Sequence, residues 1–133
     1  MNTHTTGPST GATPHLVVSD GKAAIAFYIA AFGAVERFRQ IADDGKRIFH
    51  CYLGINNGAV MLNDDFPEMH SGVASPPPAC VTIHLQVEDS RKVWARAVAA
   101  GAREVIPLEQ QPWGLYRVLR DPFGHRWSIG GGS

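Results

Sequence analysis

The sequence predicts an α+β fold in which one βαβββ module is written twice, and three observations carry that prediction. His15-Leu16-Val17-Val18-Ser19-Asp20 reads as an apolar strand ending at a helix-capping aspartate, and His84-Leu85-Gln86-Val87-Glu88-Asp89 repeats it 69 positions later. At the same offset Ile25, Tyr28 and Ile29 fall on Trp94, Ala97 and Val98, both sets at the i, i+3, i+4 spacing of a buried helix face. Each copy then closes on a hairpin, and the two hairpins match at an offset of 66, Leu53 with Leu119 and Gly58 with Gly124.

Each element follows from local chemistry. Residues 14–19 form a first strand, and Asp20 caps a helix over residues 21–32 whose buried face is Ile25, Tyr28, Ile29 and Phe32. Gly33 stops that helix. Residues 35–41 and 46–55 read as strands around the turn Asp43-Asp44-Gly45, and Asn57-Gly58 turns the chain into a fourth strand, 59–62. Residues 63–79, with Asp64, Asp65, Pro67, Gly72 and Pro76-Pro77-Pro78, should hold no regular element and act as a linker or lid. The second copy has a strand at 81–87, a helix at 90–100 capped by Asp89 or Ser90 and ended by Gly101, and a strand at 103–106. Its closing hairpin turns on Asp121-Pro122-Phe123-Gly124, where aspartate bonds the backbone ahead, proline sets φ and glycine closes the turn.

The bulk properties narrow the function. A chain of 133 residues suits one compact domain, here 14–130, divided into module 14–63, linker or lid 64–79 and module 80–130. Residues 1–13 read as a disordered polar arm without the basic and apolar regions of a signal peptide, and Gly130-Gly131-Gly132-Ser133 as a flexible end. Twelve basic residues balance 12 acidic ones, and no apolar run reaches a membrane span, so neither a nucleic-acid nor a membrane partner is expected. Cys51 and Cys80 fall in predicted strands without metal spacing and read as buried free thiols in a reducing cytoplasm.

Several motifs then stand in a telling order. Leu16-Val17-Val18-Ser19-Asp20 runs into Ala26-Phe27-Tyr28 and Phe32-Gly33-Ala34; Phe66-Pro67-Glu68-Met69, Trp113-Gly114 and Asp121-Pro122-Phe123-Gly124-His125-Arg126-Trp127 follow. Together these resemble the vicinal oxygen chelate superfamily of glyoxalases, bleomycin-resistance proteins and dioxygenases, and within it the PhnB-like branch. The resemblance implies that the sheets of the two modules form a shared cup with helices outside, that small molecules bind in the cup, and that two chains pair as a homodimer.

Strand parity names the residues that line it. With Leu16, Val18, Leu85 and Val87 turned to the helices, His15 and Val17 face the cup in one module and His84 and Gln86 in the other. Leu53 and Leu119 anchor the next strands, turning His50, Tyr52, Tyr116 and Val118 inward. The resemblance puts Ser128 on the cup face, and Arg126 shares that face. An inward arginine needs an anionic partner and can fork onto a carboxylate or phosphate. Trp113 stands where it can roof the opening. His125, Trp127 and Trp94 belong to the structural side, and nothing converges on His4 or His70.

Metal enzymes of this superfamily take ligands from the first and last strands of both modules. Matched by position, those places hold Thr13, Leu62, Thr82 and Ser128, none of them a strong ligand for a divalent cation. No cofactor is therefore expected. Two readings remain. One is a binding protein in which Tyr52, Tyr116 and Trp113 stack on a partly aromatic ligand while His15, His84, Gln86, Ser128 and Arg126 contact its polar groups. The other is a divalent-metal lyase, isomerase or dioxygenase using a displaced site of His15, His84 and His50.

Overall fold

The computed structural model describes residues 6–112 and 114–132, and they form two compact units. One runs to Ile29 and from Gly33 to Pro76; the other takes Ala30–Phe32 and the chain from Pro77 onward. Each unit carries a four-stranded mixed sheet, as the βαβββ repeat predicts.

In the first unit, strand β1 (His15–Val18) leads into helix α1 (Gly21–Phe32), whose last three residues belong to the second unit, followed by β2 (Val35–Ile41), β3 (Ile48–Ile55) and β4 (Gly58–Asp64). The sheet order is β1-β4-β3-β2, with β1 parallel to β4 and the other pairs antiparallel. Asp20 caps α1 by accepting from the Ala23 N–H at 3.1 Å. Gly33, at φ 68°, ends it by donating to the Ile29 carbonyl. Asp64 joins sheet to helix: its buried carboxylate accepts the N–H of Gly21 at 2.9 Å and of Ile48 at 2.7 Å. Leu16, Val18, Cys51, Leu53, Val60 and Leu62 bury one face of the sheet.

The second unit repeats this order: β5 (Thr82–Val87), α2 (Ser90–Ala100), β6 (Arg103–Gln111), β7 (Gly114–Arg120) and β8 (Arg126–Gly131), in sheet order β5-β8-β7-β6. Asp89 is the cap of α2, accepting from the Lys92 N–H. The helix lies against β8, and the Arg117 guanidinium stacks 4.0 Å above the Trp94 ring, where burial lowers its pKa.

Several expectations change. Ile29 and Val98, which the repeat rightly pairs, are both exposed, at 41% and 44%. Ile25 and Tyr28 of the expected α1 face are buried, and Phe32 is partly so; Ala24, Phe27 and Ala31 complete the buried stripe in place of Ile29, which lies at its edge. The first hairpin turns on Asn56-Asn57, both at positive φ (48° and 65°), so Gly58 is already in the strand. Asparagine tolerates the left-handed region that this two-residue loop demands twice. Residues 63–79 are not wholly irregular: β4 extends to Asp64, and a 3₁₀ turn forms at Pro67–Met69. Cys80 is exposed, just before β5, whereas Cys51 is buried and its thiol is pushed up to about 12 by desolvation.

The C-terminal glycines are built into the sheet. Gly131 pairs with Val87 and Leu115, and the Gly132 carbonyl accepts from both the N–H and the hydroxyl of Ser90, at 2.7 and 2.8 Å. A Cβ on Gly131, whose φ is 128°, would stand 1.9 Å from the Val87 carbonyl oxygen. Only glycine fits there.

Candidate functional site

On the second sheet, the face opposite α2 presents three cross-strand rows. Register aligns Thr82 with Arg126 and Arg120, His84 with Ser128 and Val118, and Gln86 with Gly130 and Tyr116. The middle of this face is a hydrogen-bonded cluster. His84 Nδ1 lies 2.7 Å from Ser128 Oγ and Nε2 lies 2.8 Å from Gln86 Oε1. Since the amide oxygen can only accept, Nε2 carries the hydrogen, and in the neutral ring Nδ1 accepts from the serine hydroxyl. The imidazole stacks on Tyr116 with ring centroids 6.2 Å apart. It passes so close over Gly130 that a Cβ there would be 2.9 Å from His84 Cε1. The histidine is therefore fixed on four sides, a pre-oriented polar and aromatic surface.

The first unit offers a cavity of about 420 Å³, lined by His15, His50, Asn63, Phe49, Phe66 and Met69 among others. A β-bulge shapes it. Gln40 pairs with His50 and Ile41 with Ile48, so Phe49 is an extra residue on β3. The bulge keeps Ile48 in the core and turns both Phe49 and His50 to the cavity, which strict alternation cannot do. His15 Nε2 donates to Asn63 Oδ1, and His50 Nε2 donates to the Thr6 carbonyl at 2.6 Å. Tyr52 stands half-buried in the row of His15, Met61 and Phe38.

One wall of the cavity is strapped. Arg47 forks onto Glu68 (2.6 and 3.2 Å), reaches Asp44 at 2.6 Å and lies 4.3 Å above the Phe66 ring. The Glu68 carboxyl is held below its usual range by the Arg47 side chain. Asp44 is lowered too, first by the Arg47 backbone N–H and then by its side chain. Asp65 closes residues 65–75 by accepting from the N–H and hydroxyl of Ser75, and these two bonds lower its pKa.

The metal-position correspondence needs one correction. Leu62 is fully buried on the core face of β4; the residue that shares the face and row of His15, as Ser128 does for His84, is Met61. The second hairpin has one more residue between equivalent pairs, Leu119–Trp127 against Leu53–Val60, so the offset changes from 66 to 67 on the last strand. The four positions thus hold Thr13, Met61, Thr82 and Ser128. Two hydroxyls, a thioether and a third hydroxyl do not fit a glyoxalase-type centre. At the displaced positions both ring nitrogens of His84 are engaged, and so is one nitrogen each of His15 and His50. Among the described residues no group of three or more His, Cys, Asp or Glu is spaced to hold a metal ion.

Of the candidates named from sequence, the fold brings His84, Gln86, Tyr116 and Ser128 into one cluster, with Arg126 in the next row. His15 and His50 line one cavity in the other unit. Trp113 lies outside the described residues. Sequence reasoning passed over Phe49, Asn63, Gly130 and Arg120. Strand parity extended from Tyr116 would have found Arg120, while Gly130 looked like part of a tail and Phe49 depends on a bulge with no sequence signature.

Comparison with known proteins agrees with this architecture. The family model of the Glyoxalase/Bleomycin resistance protein/Dioxygenase superfamily matches residues 4–129. A Mycobacterium bovis relative, the uncharacterized protein Mb0911c, is 50% identical over 123 residues, covering 89% of this chain and 80% of its own. TioX from Micromonospora sp. ML1 superposes with a TM-score of 0.70 at 27% identity, over 93% of this chain and 97% of that one. PA1353 from Pseudomonas aeruginosa shares the fold at a TM-score of 0.76 and 20% identity, over 94% of this chain and 100% of that one. With the family model covering nearly the whole chain and both βαβββ modules in place, the protein belongs to the glyoxalase/bleomycin resistance protein/dioxygenase superfamily.

Proposed function

We propose that this protein binds a small, partly aromatic molecule on the polar sheet face around His84, without a glyoxalase-type metal centre. The observation that carries the reading is the locked imidazole of His84, held by Ser128 and Gln86 above Gly130 and stacked on Tyr116. Groups fixed before the ligand arrives lose little freedom on binding, which is how a modest contact area yields useful affinity. Tyr116 and the imidazole offer flat surface, and the first unit separately holds, beside His15 and His50, a cavity with the volume of a small-ligand pocket. The Trp113-Gly114 and Asp121–Trp127 motifs support placement in the PhnB-like branch. We further infer a homodimer in a reducing cytoplasm, where Cys51 and Cys80 stay free thiols. No helix among the described residues is long and apolar enough to cross a membrane.

A fragment screen by amide chemical-shift mapping tests the function. Hits that move the resonances of His84, Gln86 and Tyr116, and that lose affinity in His84→Ala, support it. Hits indifferent to both His84→Ala and Tyr116→Ala would overturn it, as would stoichiometric divalent metal in protein purified without chelator.

A further inference from the structure

We propose that Arg126, Arg120 and Thr82 form an oxyanion subsite, which makes the ligand an acid carrying a carboxylate or phosphate head beside a flat organic body. The subsite stands on its own geometry; the flat body rests on the ligand-face reading above.

The three residues occupy one cross-strand row, so their side chains leave the same face of the sheet side by side. Two guanidinium groups directly opposite each other repel, and a sheet tolerates such a pair at a cost. Neither makes an ion pair among the described residues. The neighbouring carboxylate, Asp121, is committed to the turn, accepting the N–H groups of Phe123 and His125 and the indole N–H of Trp127. Arg120 Nη1 donates to the Gly124 carbonyl at 2.6 Å, which fixes that side chain. Arg126 Nε is buried and has no hydrogen-bond partner. A buried N–H on a charged group is costly to leave unmade, and a guanidinium fork matches two oxygens of one anion.

A cavity of about 200 Å³ opens against this row, walled by the segment from Pro78 to Thr82 and by Gly124. That is room for an anionic head group and not for a whole ligand. The row containing His84 and Ser128 is two residues further along the strands, about 7 Å away. An acid whose head sits between Arg126 and Arg120 would therefore lay its body over the imidazole toward Tyr116. The chemistry admits two head groups, carboxylate and phosphate, and one neutral comparison separates both from simple stacking.

The test titrates the full chain with inorganic phosphate, benzoate and benzyl alcohol, following the arginine Nε–Hε and histidine side-chain resonances. Phosphate, benzoate or both should move the Arg126 Nε–Hε signal, the probe that does so identifying the preferred head group. Arg126→Met should weaken that binding about tenfold or more, with Arg126→Lys between the two and benzyl alcohol unaffected. Thermal melting checks that the variants fold; if the methionine variant does not, Arg120→Met and the wild-type shifts decide. If neither anion moves the Arg126 signal, or if the variants bind both as tightly as wild type, the subsite is wrong. Benzyl alcohol shifting His84 and Tyr116 in that case would leave the ligand face standing. Anions held at Arg126 with no probe reaching His84 or Tyr116 would confirm the subsite and sink the face.

Discussion

The indole Nε1–H of Trp127 donates to Asp121 Oδ2 at 2.9 Å, tying the largest fully buried side chain among the described residues to the turn that precedes it. The other oxygen of Asp121 accepts the N–H groups of Phe123 and His125, so one carboxylate, itself 4% exposed, organises the whole β7–β8 connection. Asp121→Ala would strand three donors in or beside the core. It should lower unfolding stability by about 2–4 kcal/mol. Urea denaturation measures this, and a loss below half a kcal/mol would show that water or backbone shifts replace the carboxylate.

Gly131 makes a second, sterically different prediction. With a Cβ destined for 1.9 Å from the Val87 carbonyl and φ in the left-handed half of the map, Gly131→Ala must push β8 away from β5. The loss should be roughly 2–4 kcal/mol, read as a lower melting temperature and faster amide exchange at Ser90, whose N–H and hydroxyl both rely on the Gly132 carbonyl. Unchanged exchange at Ser90 would contradict the anchoring of this end.

These two residues also mark what sequence could and could not reveal. Asp121 was legible because Asp-Pro-x-Gly is local chemistry, and the helices were legible because caps and terminal glycines act within one turn. The repeat itself was legible, down to the equivalence of Ile29 and Val98. Their exposure was not, because which side of a helix is buried depends on what packs against it. Gly131 was misread as tail because the reason for a glycine is a neighbouring backbone 44 residues earlier in sequence. The bulge at Phe49 and the extra residue in the second hairpin shift registers that alternation takes as constant; the second of these is how Leu62 was placed on a face that belongs to Met61.

Acid should loosen the strap over the first-unit cavity. Glu68, Asp44 and Asp65 are all held below their ordinary carboxylate values in the folded chain, through the Arg47 side chain, the Arg47 backbone N–H and the Ser75 backbone N–H respectively. A depressed carboxyl contributes stability that is full above its unfolded value and is lost as pH falls through its folded value. Amide exchange at residues 70–75 should therefore be constant between about pH 5 and 8, after correction for the intrinsic rate, and show growing loss of protection below about pH 4. Glu68→Gln should lose part of that protection already at neutral pH and show a shallower acid dependence. An identical acid profile in Glu68→Gln and wild type would remove Glu68 from the strap.

The last prediction separates the ligand face from its scaffold. His84→Ala removes an exposed ring whose bonds run to Ser128 and Gln86, so it should cost under about 1 kcal/mol of stability while weakening a screened ligand about tenfold. His125 engages Asp121 through its backbone N–H and carbonyl, which His125→Ala retains, so that variant should bind as wild type. Gly130→Ala is the sharper probe. Its backbone does not need a glycine φ, yet the new methyl would meet His84 Cε1 at 2.9 Å and the Gln86 oxygen at 3.4 Å. The flexible side chains must give way before the strand does, so affinity should fall toward that of His84→Ala while the melting temperature moves by only a few degrees. Titration of one ligand against all three variants, each with its melting curve, gives the answer. Full affinity in Gly130→Ala would mean that the orientation of the imidazole is irrelevant to binding, and the locked histidine could no longer carry the function assigned to it.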